Sequence, residues 1–154
     1  MFSVLILTIG IPGSGKTSWV KEYKKTHPLT FVVSTDDIRK ELTGVEQCVN
    51  PSQNEWIHTT ARNRVKEILS RKDHYGLGPE IIVDSTNVDL EEWLKYKDLG
   101  ASVILAKVFD VPPLQAMEYQ KNRERKVPLE IVQNKWDTLQ HNKKFLPLVF
   151  NMIF

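Results

Sequence analysis

The sequence contains a single cysteine, Cys48, so no disulfide can form within the chain and a disulfide-stapled secreted scaffold is excluded. A reducing, cytoplasmic setting is the expectation. Nowhere does an apolar run approach the roughly 20 residues that a membrane-spanning helix needs. Residues 1–10 are apolar but lack the basic start and cleavage site of a signal peptide, and they read as a buried strand. Charge of one sign is also missing: 21 Lys and Arg stand against 19 Asp and Glu, a net charge of +2. A broad basic surface covering many nucleic-acid phosphates is therefore excluded, and any nucleic-acid contact must be local. Internal repeats, low-complexity tracts and linkers rich in Pro, Gly or Ser are absent too. The 154 residues, 41% hydrophobic and 26% charged, read as one domain, residues 1–154, around one core.

What is present is an alternation. Four short runs rich in β-branched and apolar residues, 4–9, 30–33, 80–83 and 102–109, read as strands. Helical spacing fills the intervals at 18–25, 36–42, 55–69, 90–99, 113–121 and 129–140. In 55–69 the period is carried by Ile57, Ala61, Val65 and Ile68. Such an order predicts an α/β fold: a parallel sheet of about four strands between two helical layers, with the last two helices forming a short lid. The strands are apolar runs rather than alternations, as expected when both faces are covered. Ligands in such folds bind outside the carboxyl ends of the strands, so those ends deserve the closest reading.

After the first strand comes Gly10-Ile11-Pro12-Gly13-Ser14-Gly15-Lys16-Thr17, a full match to the phosphate-loop pattern G-x-x-x-x-G-K-[ST]. Glycine lets the backbone turn its N–H groups onto phosphate oxygens, and the helix opening at Lys16 adds its positive end. The pattern assigns ATP to Gly10, Gly13, Ser14, Gly15, Lys16, Thr17 and Ser18, with Lys16 on the β- and γ-phosphates and the Thr17 hydroxyl on Mg²⁺. No N-K-x-D element follows a strand, which argues against a switch GTPase, and motor-type ATPases carry more chain. A small P-loop domain is most economically a kinase.

Three further clusters follow later strands and helices. Asp36 and Arg39 lie three apart on a short helix, where a carboxylate can take an acceptor hydroxyl's proton and a cation can hold a phosphate. Two Asp in a first turn also simply complement the helix dipole after a Ser34 or Thr35 cap. Asp84-Ser85-Thr86-Asn87 ends the third strand: Asp84 either holds Mg²⁺ through water or is a turn former, and Thr86 and Asn87 either line an acceptor cleft or cap a helix. Lys121-Asn122-Arg123-Glu124-Arg125-Lys126 is either a basic lid over the triphosphate or a solvated helix end.

Together these residues resemble a known family. Leu7 through Gly10, Pro12 through Thr17 and Trp19 are similar to the kinase domain of phage polynucleotide 5′-hydroxyl kinases. Asp36-Asp37-x-Arg39, Thr86-Asn87, Lys107 through Pro112, and Val127-Pro128 recur in the same order, over residues 5 to about 147. The resemblance implies an ATP-dependent phosphotransferase acting on the 5′-hydroxyl end of DNA or RNA. Asp36 would be its general base, Arg39 its contact to the acceptor 3′-phosphate, and Arg123 its lid arginine, with Arg125 the competitor. The departures are Thr35 in place of a basic residue, an acidic position shifted by one to Asp84, Tyr119 in place of a second lid arginine, and no phosphatase domain. Those spellings also look like the broader group of P-loop kinases with varied acceptors. A kinase for a small acceptor such as a nucleoside, nucleotide or sugar is thus the rival, and a non-catalytic ATP-binding switch the second rival.

His58 and His74 lack partners at metal-ligand spacing and read as helix-face or surface residues. Trp56, Trp93 and Trp136 read as core or groove aromatics. The apolar tail 146–154 either packs back on the body or forms a contact in a homo-oligomer.

Overall fold

The computed structural model describes residues 2–46, 50–71, 77–123 and 126–154. In chain order its elements are β1 (Val4–Ile9), α1 (Lys16–Thr26), β2 (Phe31–Ser34), α2 (Thr35–Thr43), α3 (Asn54–Leu69), β3 (Glu80–Asp84), α4 (Leu90–Lys97), β4 (Val103–Val108), α5 (Pro113–Tyr119), α6 (Leu129–Asn142), α7 (Leu146–Val149) and β5 (Met152–Ile153). The strands form one sheet of order β2-β3-β1-β4-β5, and every pair is parallel. No described helix is long and apolar enough to cross a membrane.

Strand β1 explains why its sequence is apolar at nearly every position. Leu5, Leu7 and Ile9 pack with Ile81, Val83 and the apolar faces of α3, α4, α6 and α7. Ile6 points the other way and meets Ile82 and Val20 of α1. The helical period in α3 survives intact, with Ile57, Ala61, Val65 and Ile68 all buried. Trp93 is fully buried on α4 and packs edge-on against Phe150, at 5.6 Å between ring centroids.

The sheet has five strands, not about four. Tail residues 146–154 pack back on the body: Leu146, Val149 and Phe150 enter the core, and Met152–Ile153 pair with Leu105 and Ala106 of β4. Asn151 fixes this register, because its side-chain Oδ1 accepts from the Ile104 N–H while its own N–H donates to the Ile104 carbonyl. A two-residue strand carries no period, so nothing in the run Asn151-Met152-Ile153-Phe154 separates it from a loop.

Lys107 heads the Lys107–Pro112 run and sits above three rings, 5.7 Å from Trp19, 5.4 Å from Phe109 and 5.1 Å from Phe154. Phe109 donates its N–H to Ile9 and brings its Cβ against Gly10, where an added side-chain carbon would lie only 2.9 Å away. The run therefore buttresses the loop that follows β1.

Candidate active site

Gly10–Thr17 bridge β1 and α1 at the carboxyl end of the central strand, where β1 crosses over toward β2 and its neighbour β3 crosses over the other way toward β4. Gly13 and Gly15 have φ of 84° and 94°, and a Cβ on Gly13 would stand 2.6 Å from the Ala116 carbonyl oxygen. Close approach to α5 is thus as much a reason for Gly13 as the turn. Ile11 is fully buried with Ala116 and Val132, so the loop and the lid helices share one small core.

Lys16 is buried, and its Nζ donates to the Ile11 carbonyl at 2.7 Å and lies 3.4 Å from Ser14 Oγ. Burial pushes its pKa down to about 8, opposed by Asp84 and Asp36 and aided by Arg123. Thr17 donates its hydroxyl to Asp84 Oδ2 at 3.1 Å. Asp84 closes β3, and burial raises its pKa against the pull of Thr17 and Lys16. A buried carboxylate beside a hydroxyl, at the foot of a phosphate loop, suits a hard divalent cation that also takes phosphate oxygens. Among the described residues no cluster of three or more His, Cys, Asp or Glu could hold a metal unaided.

On the acceptor side, Ser34 caps α2 by accepting from the Asp37 N–H. Thr35 is thereby left to donate to Ser85 Oγ at 3.0 Å, which ties the ends of β2 and β3 together. Arg39 donates to Asp36 Oδ1 at 3.0 Å, to the Glu46 carbonyl at 3.3 Å and to Asn54 Oδ1 at 3.4 Å. Thr8 is the hidden hub: its hydroxyl bonds Val83, Ser85 and the Ser85 N–H, and its carbonyl accepts from Asn87 Nδ2. Asn87 adopts φ 49° and also accepts from the Trp93 indole through its own carbonyl. Its amide therefore braces β1 and β3, although its side lines the acceptor groove.

Two cavities meet here. A cleft of about 490 Å³ is lined by Gly13, Gly15, Lys16, Thr17, Ser18, Asp84, Tyr119 and Arg123. A groove of about 600 Å³ runs from Arg39, Asn54, His58 and Glu92 to Lys126, Pro128, Ile131 and Lys135. Asp36, Thr86, Ser85 and Val127 belong to both walls. Sequence reasoning missed Asn54, His58, Glu92, Ile131 and Lys135, because they are assembled from three helices distant in the chain. Lys21 and Tyr119 also line the phosphate cleft.

The lid is clamped by Gln120, which is almost wholly buried. Its Nε2 donates to the Val127 carbonyl at 2.8 Å and its Oε1 accepts from the Val127 N–H at 3.2 Å. This clamp straddles the basic segment and carries Arg123 to the cleft; Arg125 lies outside the described residues. Gln120→Ala leaves two backbone groups of Val127 without partners and is expected to cost about 1–3 kcal/mol. A urea midpoint unchanged from wild type would show that the clamp is dispensable.

The phosphate loop leading from the central strand into α1, on a parallel sheet of order β2-β3-β1-β4-β5, defines a P-loop nucleotide-binding domain with a kinase fold. Asn134-Lys135-Trp136-Asp137 does spell N-K-x-D, but it lies inside α6 and follows no strand. Residues 5–146 match the family model described as an AAA domain, and the chain belongs to that family. The chain is similar in structure to a chain of the Pnkp1/Rnl/Hen1 RNA repair complex (TM-score 0.74, 23% identity), over 93% of this chain and 46% of that one. It is also similar to a gluconokinase from Sinorhizobium meliloti 1021 (TM-score 0.63, 16% identity, 90% and 75% of the two chains). A shikimate kinase from Acinetobacter baumannii in complex with shikimate gives TM-score 0.62 and 14% identity, over 100% and 83%. This chain spans less than half the length of the first of these.

Proposed function

We propose that the protein is an ATP-dependent kinase that transfers the γ-phosphoryl to the 5′-hydroxyl of a nucleic-acid strand. The observation that carries this reading is the position of Asp36, on the wall common to the phosphate cleft and the groove and bonded to Arg39 on the groove side. In this reading Asp36 takes the proton of the acceptor hydroxyl as its oxygen bonds to the γ-phosphorus, and the bond to the β-phosphate oxygen breaks to release ADP. Lys16 and Arg123 both line the phosphate cleft and would offset the charge that builds up there. Mg²⁺, when bound, supplies further charge neutralisation; Thr17 and Asp84 would hold it. Arg39, fixed by Asp36 and Asn54, presents a cation to a phosphate on the acceptor, while Val127, Pro128 and Ile131 give the groove an apolar side for a base or sugar.

The likeness in fold to a chain of an RNA repair complex and the spelling of the loop, Asp36-Arg39 and Thr86-Asn87 support a strand as acceptor. A small acceptor is favoured by one observation, the likeness in fold, at lower TM-scores, to gluconokinase and shikimate kinase. Labelled ATP offered with a 5′-hydroxyl oligonucleotide beside a nucleoside, a nucleotide and a sugar separates the two. The expected result is a labelled oligonucleotide, with its KM rising several-fold between 50 and 200 mM salt because a few phosphate contacts are lost. Label on a small acceptor alone ends the strand reading.

A further inference from the structure

Among the titratable side chains that line the groove outside the transfer chemistry, His58 is the histidine. His58 lies on α3 one turn beyond Asn54, so the two share a face, and Asn54 already touches Arg39. The ring is half-buried in the groove wall. Its Nδ1 is sealed from water without a hydrogen-bond partner, and no hydrogen bond to another described residue holds the ring. A structural histidine in the interior ordinarily rests on a carbonyl or carboxylate. Here the carboxylate that acts most strongly on the ring, Glu92, is engaged by Arg62, whose Nη1 lies 2.7 Å from both of its oxygens. Nε2 is the edge left for the groove.

We propose that His58 is a second contact, beside Arg39, to the phosphate next to the reactive nucleotide of the acceptor, so that the strand is gripped by one permanent and one titratable cation. This deepens the strand-kinase reading and rests on it. A nucleoside or sugar offers nothing for such a pair, whereas a phosphodiester offers two anionic oxygens.

The charges around the ring come from every neighbouring element. Asp36 and Arg39 face it from α2, Glu55 and Arg62 from its own helix, Asp89 and Glu92 from the start of α4, and Lys126 and Lys135 from the lid side. Burial pushes its pKa below the ordinary 6.5, Arg39 and Arg62 add to that, and Glu92 and Glu55 oppose it. The free enzyme therefore carries a neutral ring at pH 7. A phosphate set against it favours the imidazolium, so binding takes up a proton and tightens as the pH falls through and below 6.5.

The test uses two 5′-hydroxyl dinucleotides, one with the natural diester and one with an uncharged methylphosphonate linkage, neither of which titrates in this range. Acceptor KM, kcat and ATP KM are measured from pH 8.0 to 5.5 for wild type, His58→Gln and His58→Asn. For wild type the diester KM is expected to fall about tenfold toward pH 5.5 while the methylphosphonate KM and the ATP KM stay level. In the variants the diester profile flattens, and the change falls on acceptor KM rather than on kcat. A variant profile that matches wild type, or an equal slope with the methylphosphonate, overturns the proposal while strand transfer stands. The wild-type comparison of the two linkages does so even if a variant fails to fold. Wild type that phosphorylates a small acceptor but neither dinucleotide sinks the strand reading and this inference with it.

Discussion

Asp36→Ala lowers kcat for phosphoryl transfer by a factor of about 10²–10⁴, the range that a positioned general base contributes, and leaves the affinity for ATP nearly unchanged. The separation follows from the geometry. In the proposed reading the loop, Lys16 and the Thr17–Asp84 pair would hold the donor phosphates without Asp36. Arg39 loses one partner but keeps the Glu46 carbonyl and Asn54. Asp36→Asn sharpens the result, because the amide oxygen can still accept from Arg39 but the side chain can no longer take a proton. It should match the alanine variant in kcat while its acceptor KM stays closer to wild type. ATP affinity that falls in parallel with transfer would show Asp36 to be a support for α2 rather than the base.

Lys16 carries the second large effect. Lys16→Met removes the buried cation of the phosphate cleft and is expected to cost about 10²–10³ in transfer, with ATP binding weakened as well. Its titration gives an independent signature. Because burial brings the Lys16 pKa down to about 8, the free loop is charged below that pH and neutral above it. ATP selects the charged form, so one proton is taken up on binding above pH 8. The dissociation constant for ATP should then rise about tenfold per pH unit beyond that point and lie level just below it. Lys16→Arg, whose guanidinium does not titrate in this range, flattens the profile even if affinity is lower throughout. A wild-type curve that stays level to pH 9.5 would mean that Lys16 remains charged in the free loop.

The parts of this site that are legible in the sequence are those built from near neighbours in the chain. Gly10 to Thr17 announce the loop because turn, helix start and lysine all fall within eight residues. The Asp36–Arg39 pair follows from one helical turn, and the expectation of a cap at Ser34 or Thr35 resolves to Ser34. The apolar period of α3 fixes its buried face directly. What stayed hidden is held by contacts across long stretches of chain. Thr8 reads as one polar interruption in an apolar strand, and its bonds reach residues about 75 positions away. Asn87 reads as either a cleft-lining or a helix-capping residue, and no local signal shows that its amide is engaged by β1 and β3. His58 reads as an ordinary helix-face residue because its surroundings come from α2, the start of α4 and the lid side. Gln120 gives no local sign of the two bonds that close the lid segment.

The Thr8 hub has a consequence for how such an enzyme can change over time. Its bonds join β1 to β3 at the foot of both cavities, while Arg39, Asn54, His58, Ile131 and Lys135 line the groove from α2, α3 and α6 outside that ring of bonds. Substitutions at Asn54, His58, Ile131 or Lys135 can remodel the acceptor wall without loosening the seat of the triphosphate. The shape and charge of the groove can thus be altered from its helix faces while the bonds that join β1 to β3 stay in place.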